Sequence, residues 1–201
     1  KDIAFVGVNN EITVGGRYTK VEIVDEPAGV SYKDGILTVT QEAIGTSVTL
    51  KVSTYLNEST AEISVDVKGV AERDVAQAEK ILIDCVSTSL DLTAGSAYNG
   101  AKATVIYDGA VLCEGDIVNN TISVDLSSIK ATLNSITEAT NLKFGIITEK
   151  DGTFNKYELE YSYVTKLIAS VKDINNYLIV PADKNDPRYT NAIQGNFLLV
   201  N

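Results

Sequence analysis

Residues 48–69, VTLKVSTYLNESTAEISVDVKG, alternate apolar and polar positions on either side of one turn. Val48, Leu50 and Val52 share a parity before the turn, and Ile63, Val65 and Val67 share one after it. Thr49, Lys51, Ser53, Ser64, Asp66 and Lys68 take the other parity. Successive side chains of a strand point to opposite faces, so the pattern predicts two strands of one sheet, apolar face inward and polar face outward.

The same period of two recurs along most of the chain. Short runs rich in Val, Ile, Thr and Tyr are separated by turn formers about every eight to twelve residues, the cadence of sandwiches and barrels. Strands are predicted at IAFVGV, EITV, YTKVEIV, GVSY, ILTVT, SVTLKVSTY and TAEISVDVKG, with breaks at VNN, VGG, EPAG, KDG, AIG and LNES. Gly permits positive φ in such breaks, and Asn or Asp side chains support the turn. VAERDVAQAEK loses the alternation, which places a domain junction between about Gly69 and Lys80. Strands resume at KILIDCV, SLDLTA, KATVIYD, AVLCEG, TISVDL, NLKFGIIT and NKYELEYSYVT. Between them, SSIKATLNSITEAT spaces Ile129, Leu133 and Ile136 as a short helix does, with Ser127 and Ser128 as N-cap candidates. After Thr165 a second short helix is expected around SVKDINNYL, then a loop through PADKNDPRYTNAIQ, then a strand at GNFLLVN.

Composition narrows the function classes. The 201 residues are 44% hydrophobic and 22% charged, enough to bury a core in one or two domains. With 17 Lys and Arg against 27 Asp and Glu the net charge is −10, and Arg occurs only at positions 17, 73 and 188. Such a surface lacks the basic stripe that nucleic acid or an anionic membrane requires. No apolar run approaches the ~20 residues of a membrane helix. The chain has no basic start followed by an apolar core, and it has no Met, so residue 1 is not read as an initiator and the chain is expected to be a piece of a larger protein. Cys85 and Cys113 lack the spacing of a metal knuckle or redox motif, and each sits in an apolar strand. They read as two small buried hydrophobes, with a disulfide between them as the alternative.

Histidine is absent, which removes Ser-His-Asp, Cys-His and His-metal chemistry. Acid–base work would fall to carboxylates. Glu158 and Glu160 of YELEYSY project from one strand face at about 7 Å, inside the ~6.5–9.5 Å range of inverting glycosidases. Tyr157, Leu159, Tyr161 and Tyr163 take the opposite, burying parity, so the two glutamates read as a solvated face. Asp183, Asn185 and Asp186 give DKNDPRYTNAIQ the look of a calcium loop, but Arg188 and Gln194 stand where the EF-hand wants Gly and Glu, so it reads as a polar linker. No phosphate-cradling glycine motif is present, and neither a metal nor a cofactor is expected. Ten tyrosines could stack on sugars, although Trp, the ring most favoured for stacking, is missing. Tyr107 and Tyr157 sit at strand parity with aliphatics and read as core, which leaves Tyr55, beside a turn, and Tyr98, before Asn-Gly, as candidate ligand-binding residues.

EITVGGRYTKVEI, followed by VSYKDGILTVTQEAIGTSVTLKVSTYLNESTAEISVDVKG, resembles the bacterial immunoglobulin-like domains that repeat in surface and secreted proteins of Gram-positive and gut bacteria. The resemblance covers about residues 4–69 and places Gly35 and Gly45 at its turns, while Tyr32 stands where many members have Trp. Its positions serve folding and carry no site residues across. Residues 78–165 look like a second sandwich, and YELEYSYVTKLIASVKDINNYL through GNFLLVN resembles the passage into a following lectin-like or β-helical, glycan-directed module.

The expected fold is therefore all-β, with two tandem immunoglobulin-like β-sandwiches at 1–69 and 78–165, a linker at 70–77, and a terminal stretch at 166–201 with a short helix, a linker and the start of the next module. The expected function is a non-catalytic spacer of a secreted or cell-surface bacterial protein, with neighbouring modules of the same polypeptide as partners. A module that binds a cell-wall or host glycan, or a host protein, through exposed loops is the alternative.

Overall fold

The computed structural model describes residues 3–14, 19–54, 59–72, 81–94, 96–150, 152–186, 188–189 and 196–200. The chain is all-β. Its contacts group it into two compact units: residues 1–73 with 101–114 and 146–157, and residues 74–100 with 115–145 and 158–201.

The first unit contains β1 (Ile3–Phe5), β2 (Asn10–Glu11), β3 (Thr19–Val24), β4 (Val30–Lys33), β5 (Ile36–Val39), β6 (Ser47–Thr54), β7 (Thr60–Lys68) and the short β8 (Ala71–Glu72). One sheet runs β1-β7-β6-β3 and a second runs β2-β5-β4. A single core joins them: Ala4, Leu37, Val39, Val48, Leu50, Val65 and Val67 are buried together, with Val21, Ile23, Tyr32 and Ile63 packed against them. Two sheets burying alternate residues against each other form a sandwich. β6 pairs antiparallel with β3 and β7, opposing Leu50 to Ile23 on one side and Ile63 on the other. The alternation in the sequence is thus the register of the central strand.

Turn chemistry sets that register. Asp34 and Gly35, at φ 50° and 86°, make the two-residue loop between β4 and β5, the left-handed geometry in which Asp-Gly is favoured. Gly45, at φ 83°, donates its N–H to the Val67 carbonyl. Asn10 is fully buried and crosses between the sheets: its Oδ1 accepts from Phe5 N at 2.9 Å, and its Nδ2 donates to the carbonyls of Phe5, Val8 and Leu37 at 3.0–3.1 Å. Ser53 departs from the parity reading. It is buried although it takes the polar face, since this short side chain stands between its longer cross-strand neighbours Lys20 and Thr60.

The remaining strands are β9 (Ile81–Asp84), β10 (Ser89–Thr93), β11 (Lys102–Tyr107), β12 (Ala110–Asp116), β13 (Thr121–Asp125), β14 (Thr140–Lys150), β15 (Thr153–Val164), β16 (Lys166–Ile168) and β17 (Phe197–Leu199). One sheet runs β12-β11-β14-β15-β8, with β9 also paired to β15, and β10 pairs antiparallel with β13. Within the first unit, the ends of the β11–β12 and β14–β15 hairpins meet the segment around β1: Phe5, Val8, Ile106 and Ile147 are buried together with Ile3, Val70, Val111 and Phe154 against them. Phe5 meets Phe154 edge to face at 5.2 Å between ring centres, and Asn9 N donates to the Gly109 carbonyl at 2.8 Å.

In the second unit, Leu90, Leu92, Ile122 and Val124 face inward from the β10–β13 pair, and Phe144 packs edge to face on Tyr161 at 5.6 Å. A 3-10 turn at Ser127–Ile129 leads into α1 (Lys130–Asn134), which buries Leu133. The helix lies where the spacing predicted, but neither Ser127 nor Ser128 caps it. The 3-10 turn begins after Leu126, and Ser127 instead turns back to Asp125, giving its N–H and hydroxyl to that carboxylate at 2.8 and 2.6 Å. α2 (Val171–Asp173) is capped by Ser170, whose Oγ accepts from Asp173 N, and continues as a π-helical turn through Ile174–Leu178. β16 and β17 pair in parallel.

Candidate functional site

β15 carries Glu158 and Glu160, the carboxylate pair weighed from the sequence. Tyr157, Leu159, Tyr161 and Tyr163 are all at most 3% exposed, which turns Glu158 and Glu160 outward. Each glutamate is engaged by the neighbouring strand β14. Glu158 lies 3.8 Å from Lys143 Nζ, and Glu160 accepts from Asn141 Nδ2 at 2.7 Å. Ser162 Oγ in turn donates to Asn141 Oδ1 at 3.0 Å. This is a row of paired polar side chains on an open sheet face, each carboxylate held by a partner from β14.

Beside the row lies a groove of about 450 Å³ within the second unit. The parallel register sets Leu82 of β9 opposite Ser162, so Leu82, Ser162 and Asn141 line up across three adjacent strands. Asn196 and Phe197 add further lining. Their backbone is pinned to the end of β15: the Asn196 carbonyl accepts from the Thr165 N–H and hydroxyl, both at 2.9 Å, and Asn196 Nδ2 donates to the Tyr163 carbonyl at 3.0 Å. A smaller cavity of about 220 Å³ is lined by Cys85, Asn134, Ile136, Tyr163, Thr165 and Lys166.

Cys85 and Cys113 form no disulfide and both are only half-buried, so the disulfide alternative is not realised and neither is the fully buried hydrophobe read from the sequence. Cys113 lies in β12, whereas Cys85 falls in the turn just after β9. Burial, and then the neighbouring Glu114, push the Cys113 thiol above its ordinary pKa, which lowers the fraction of nucleophilic thiolate. Lys130 Nζ is spent on the carbonyls of Cys85 and Ser87, at 2.8 and 2.7 Å.

The acidic loop folds on itself. Asp183 accepts from Asn185 N at 2.9 Å, and Asp186 takes the Arg188 guanidinium at 2.7 Å together with the Arg188 N–H at 2.9 Å. Those bonds hold the half-buried Asp186 carboxyl down at about 2. Among the described residues no group of three or more Cys, Asp or Glu is placed to hold a metal ion, and no helix is long and apolar enough to cross a membrane.

Of the candidate ligand tyrosines, Tyr98 ends a 3-10 turn at Ser96–Tyr98 and is half-buried. Tyr55 lies outside the described residues. Tyr107, expected in the core beside Tyr157, is half-buried at the end of β11, because the next residues, Asp108 and Gly109, turn the chain outward. The groove was not visible in the sequence. Asn141 and Phe197 are 56 positions apart, and only the placement of both beside β15 joins them.

No protein-family model matches this chain, and no curated protein does. Solved structures give distant likenesses. SGBP-B of the Bacteroides ovatus mixed-linkage glucan utilization locus, solved with a mixed-linkage heptasaccharide, aligns at 14% identity and a TM-score of 0.28, covering 83% of this chain and 43% of that one. The mouse nectin-like molecule 4 ectodomain, with domains Ig1–Ig3, aligns at 10% identity and 0.26, over 72% and 54%. The endo-fucoidan hydrolase MfFcnA4 of glycoside hydrolase family 107 aligns at 12% identity and 0.26, over 81% and 27%. The chain thus spans about half or less of the length of these three proteins.

Proposed function

We propose that this chain is a non-catalytic structural region of a secreted or cell-surface bacterial protein, a spacer of immunoglobulin-like sandwiches that presents a neighbouring glycan-directed or adhesive module. The observation that carries the reading is the second apolar cluster of the first unit, where Phe5 and Val8 close on Ile106 and Ile147. A spacer transmits position only if stretches far apart in the chain are fastened laterally, and this cluster fastens residues 3–8 to two hairpins about a hundred or more positions away. The outward faces suit the same role. Lys20 pairs with Glu22, Lys68 with Asp66 and Lys143 with Glu158 in exposed ion pairs that solvate the sheets and discourage addition of another strand.

The domain assignment that goes with this reading is a sandwich at 1–69, a junction at 70–77, a second sandwich at 78–165 and a terminal stretch at 166–201. The alternative, capture of a glycan or host protein through loops, would use Tyr55 and Tyr98. The reading is tested by incubating the chain with a panel of polysaccharides and measuring reducing ends. Release at buffer level is expected, whereas release abolished by Glu158→Gln or Glu160→Gln would overturn it.

A further inference from the structure

We infer that the groove between Leu82, Asn141, Ser162, Asn196 and Phe197 is a binding site for a neutral saccharide. The inference does not rest on the spacer reading, since a spacer needs no groove. It begins with Asn141. Its Nδ2 faces the Glu160 carboxylate at 2.7 Å and its Oδ1 takes the Ser162 hydroxyl at 3.0 Å, so both ends of the amide are fixed by chemistry and the group cannot flip. Each end keeps capacity after those bonds: the nitrogen has a second proton and the oxygen a second lone pair. A preorganised donor and acceptor, side by side at the groove, match a pair of adjacent hydroxyls, each of which donates and accepts.

The apolar lining supplies the other half of sugar recognition. Leu82 is 48% exposed, and Phe197 is half-buried on a strand whose neighbouring backbone is held to β15 through Asn196. A cyclic polyol has a rim of hydroxyls and faces of C–H bonds, and sites for small ligands pair a few placed polar groups with apolar and aromatic walls. Charge excludes the competing classes. An anionic ligand at Asn141 would approach the Glu160 carboxylate that this amide already holds, and the cation Lys143 pairs with Glu158. A metal ion needs several oxygen ligands, and the lining offers it no carboxylate.

The test is a titration of the whole ¹⁵N-labelled chain, followed by NMR, with neutral oligosaccharides of β-linked glucose, mannose and xylose and of α-linked glucose. Oligogalacturonate forms the charged arm. At least one neutral series is expected to move the side-chain NH₂ signals of Asn141 and Asn196 and the backbone amide of Phe197. Asn141→Ala is expected to weaken that binding about tenfold, the size of one lost hydrogen bond to a ligand hydroxyl, with an unchanged melting temperature. Because Phe197→Ala could loosen β17, Leu82→Ala serves as the second variant on the apolar side. The inference is overturned if none of the neutral series moves these signals, if oligogalacturonate binds more tightly than all of them, or if Asn141→Ala binds as the unaltered chain does.

Discussion

Leu50 and Lys51 are adjacent in the chain and opposite in consequence. Leu50 has no exposed surface in the centre of the first core, while Lys51 stands in solvent. Leu50→Ala is expected to cost about 2–5 kcal/mol through the cavity it leaves, and Lys51→Ala to stay within about 0.5 kcal/mol, both read from chemical denaturation. This contrast was legible because the period of two survives in the packed strand. Asn10 was not legible, since an amide in VNN reads as turn chemistry, and only the fold shows it buried with four backbone bonds. Asn10→Asp should destabilise strongly, because a carboxylate cannot donate to three carbonyls and carries a charge into the core. Equal denaturation midpoints for the variant and the unaltered chain would contradict that role. Tyr161 gives a test of sign. Burial raises its hydroxyl to about 12, against about 10 in an unfolded chain. Stability should therefore be fully present below pH 10 and fall as pH rises towards 12, because the unfolded chain loses that proton first. Tyr161→Phe should flatten this part of the pH profile, and an unchanged alkaline slope would assign the loss to other groups.

At the scale of elements, the turns were the most readable part of the chain. Asp34-Gly35 and Asp108-Gly109 both adopt the positive φ that their residue types favour, so hairpin positions followed from local chemistry. The start of α1 was misplaced because serine is a good cap only where nothing competes for it, and Asp125, two residues before Ser127, does compete. The same kind of local capture explains the acidic loop, where Asp186 closes on Arg188. An NMR titration should place the Asp186 carboxyl midpoint near 2 and, in Arg188→Ala, return it towards the usual carboxylate range. A midpoint unmoved by that substitution would mean that the pair does not persist in solution. The groove beside β15 could not be read from any element alone, since its lining comes from β9, β14, β15 and β17.

For the whole molecule, periodicity announced the sheets but said nothing of what the hairpin ends touch. Ile106, Ile147 and Phe154 read as ordinary strand residues, and their meeting with Phe5 and Val8 is a long-range fact that no local pattern encodes. The outward charges behave in the opposite way, because their role is set by composition. Replacing Lys51, Asp66 and Lys68 together should leave the fold intact and alter only solubility. The central claim is that residues 3–8 are fastened to the two hairpins as one body, and it is tested most directly by cutting the chain. Limited proteolysis is expected to cleave first between Gly69 and Lys80, where the strand pattern lapses. After that cut the two fragments should elute together on native size-exclusion chromatography and separate only in denaturant, with Phe5→Ala and Phe154→Ala combined weakening the association. Fragments that part under native conditions, each still folded, would contradict the account.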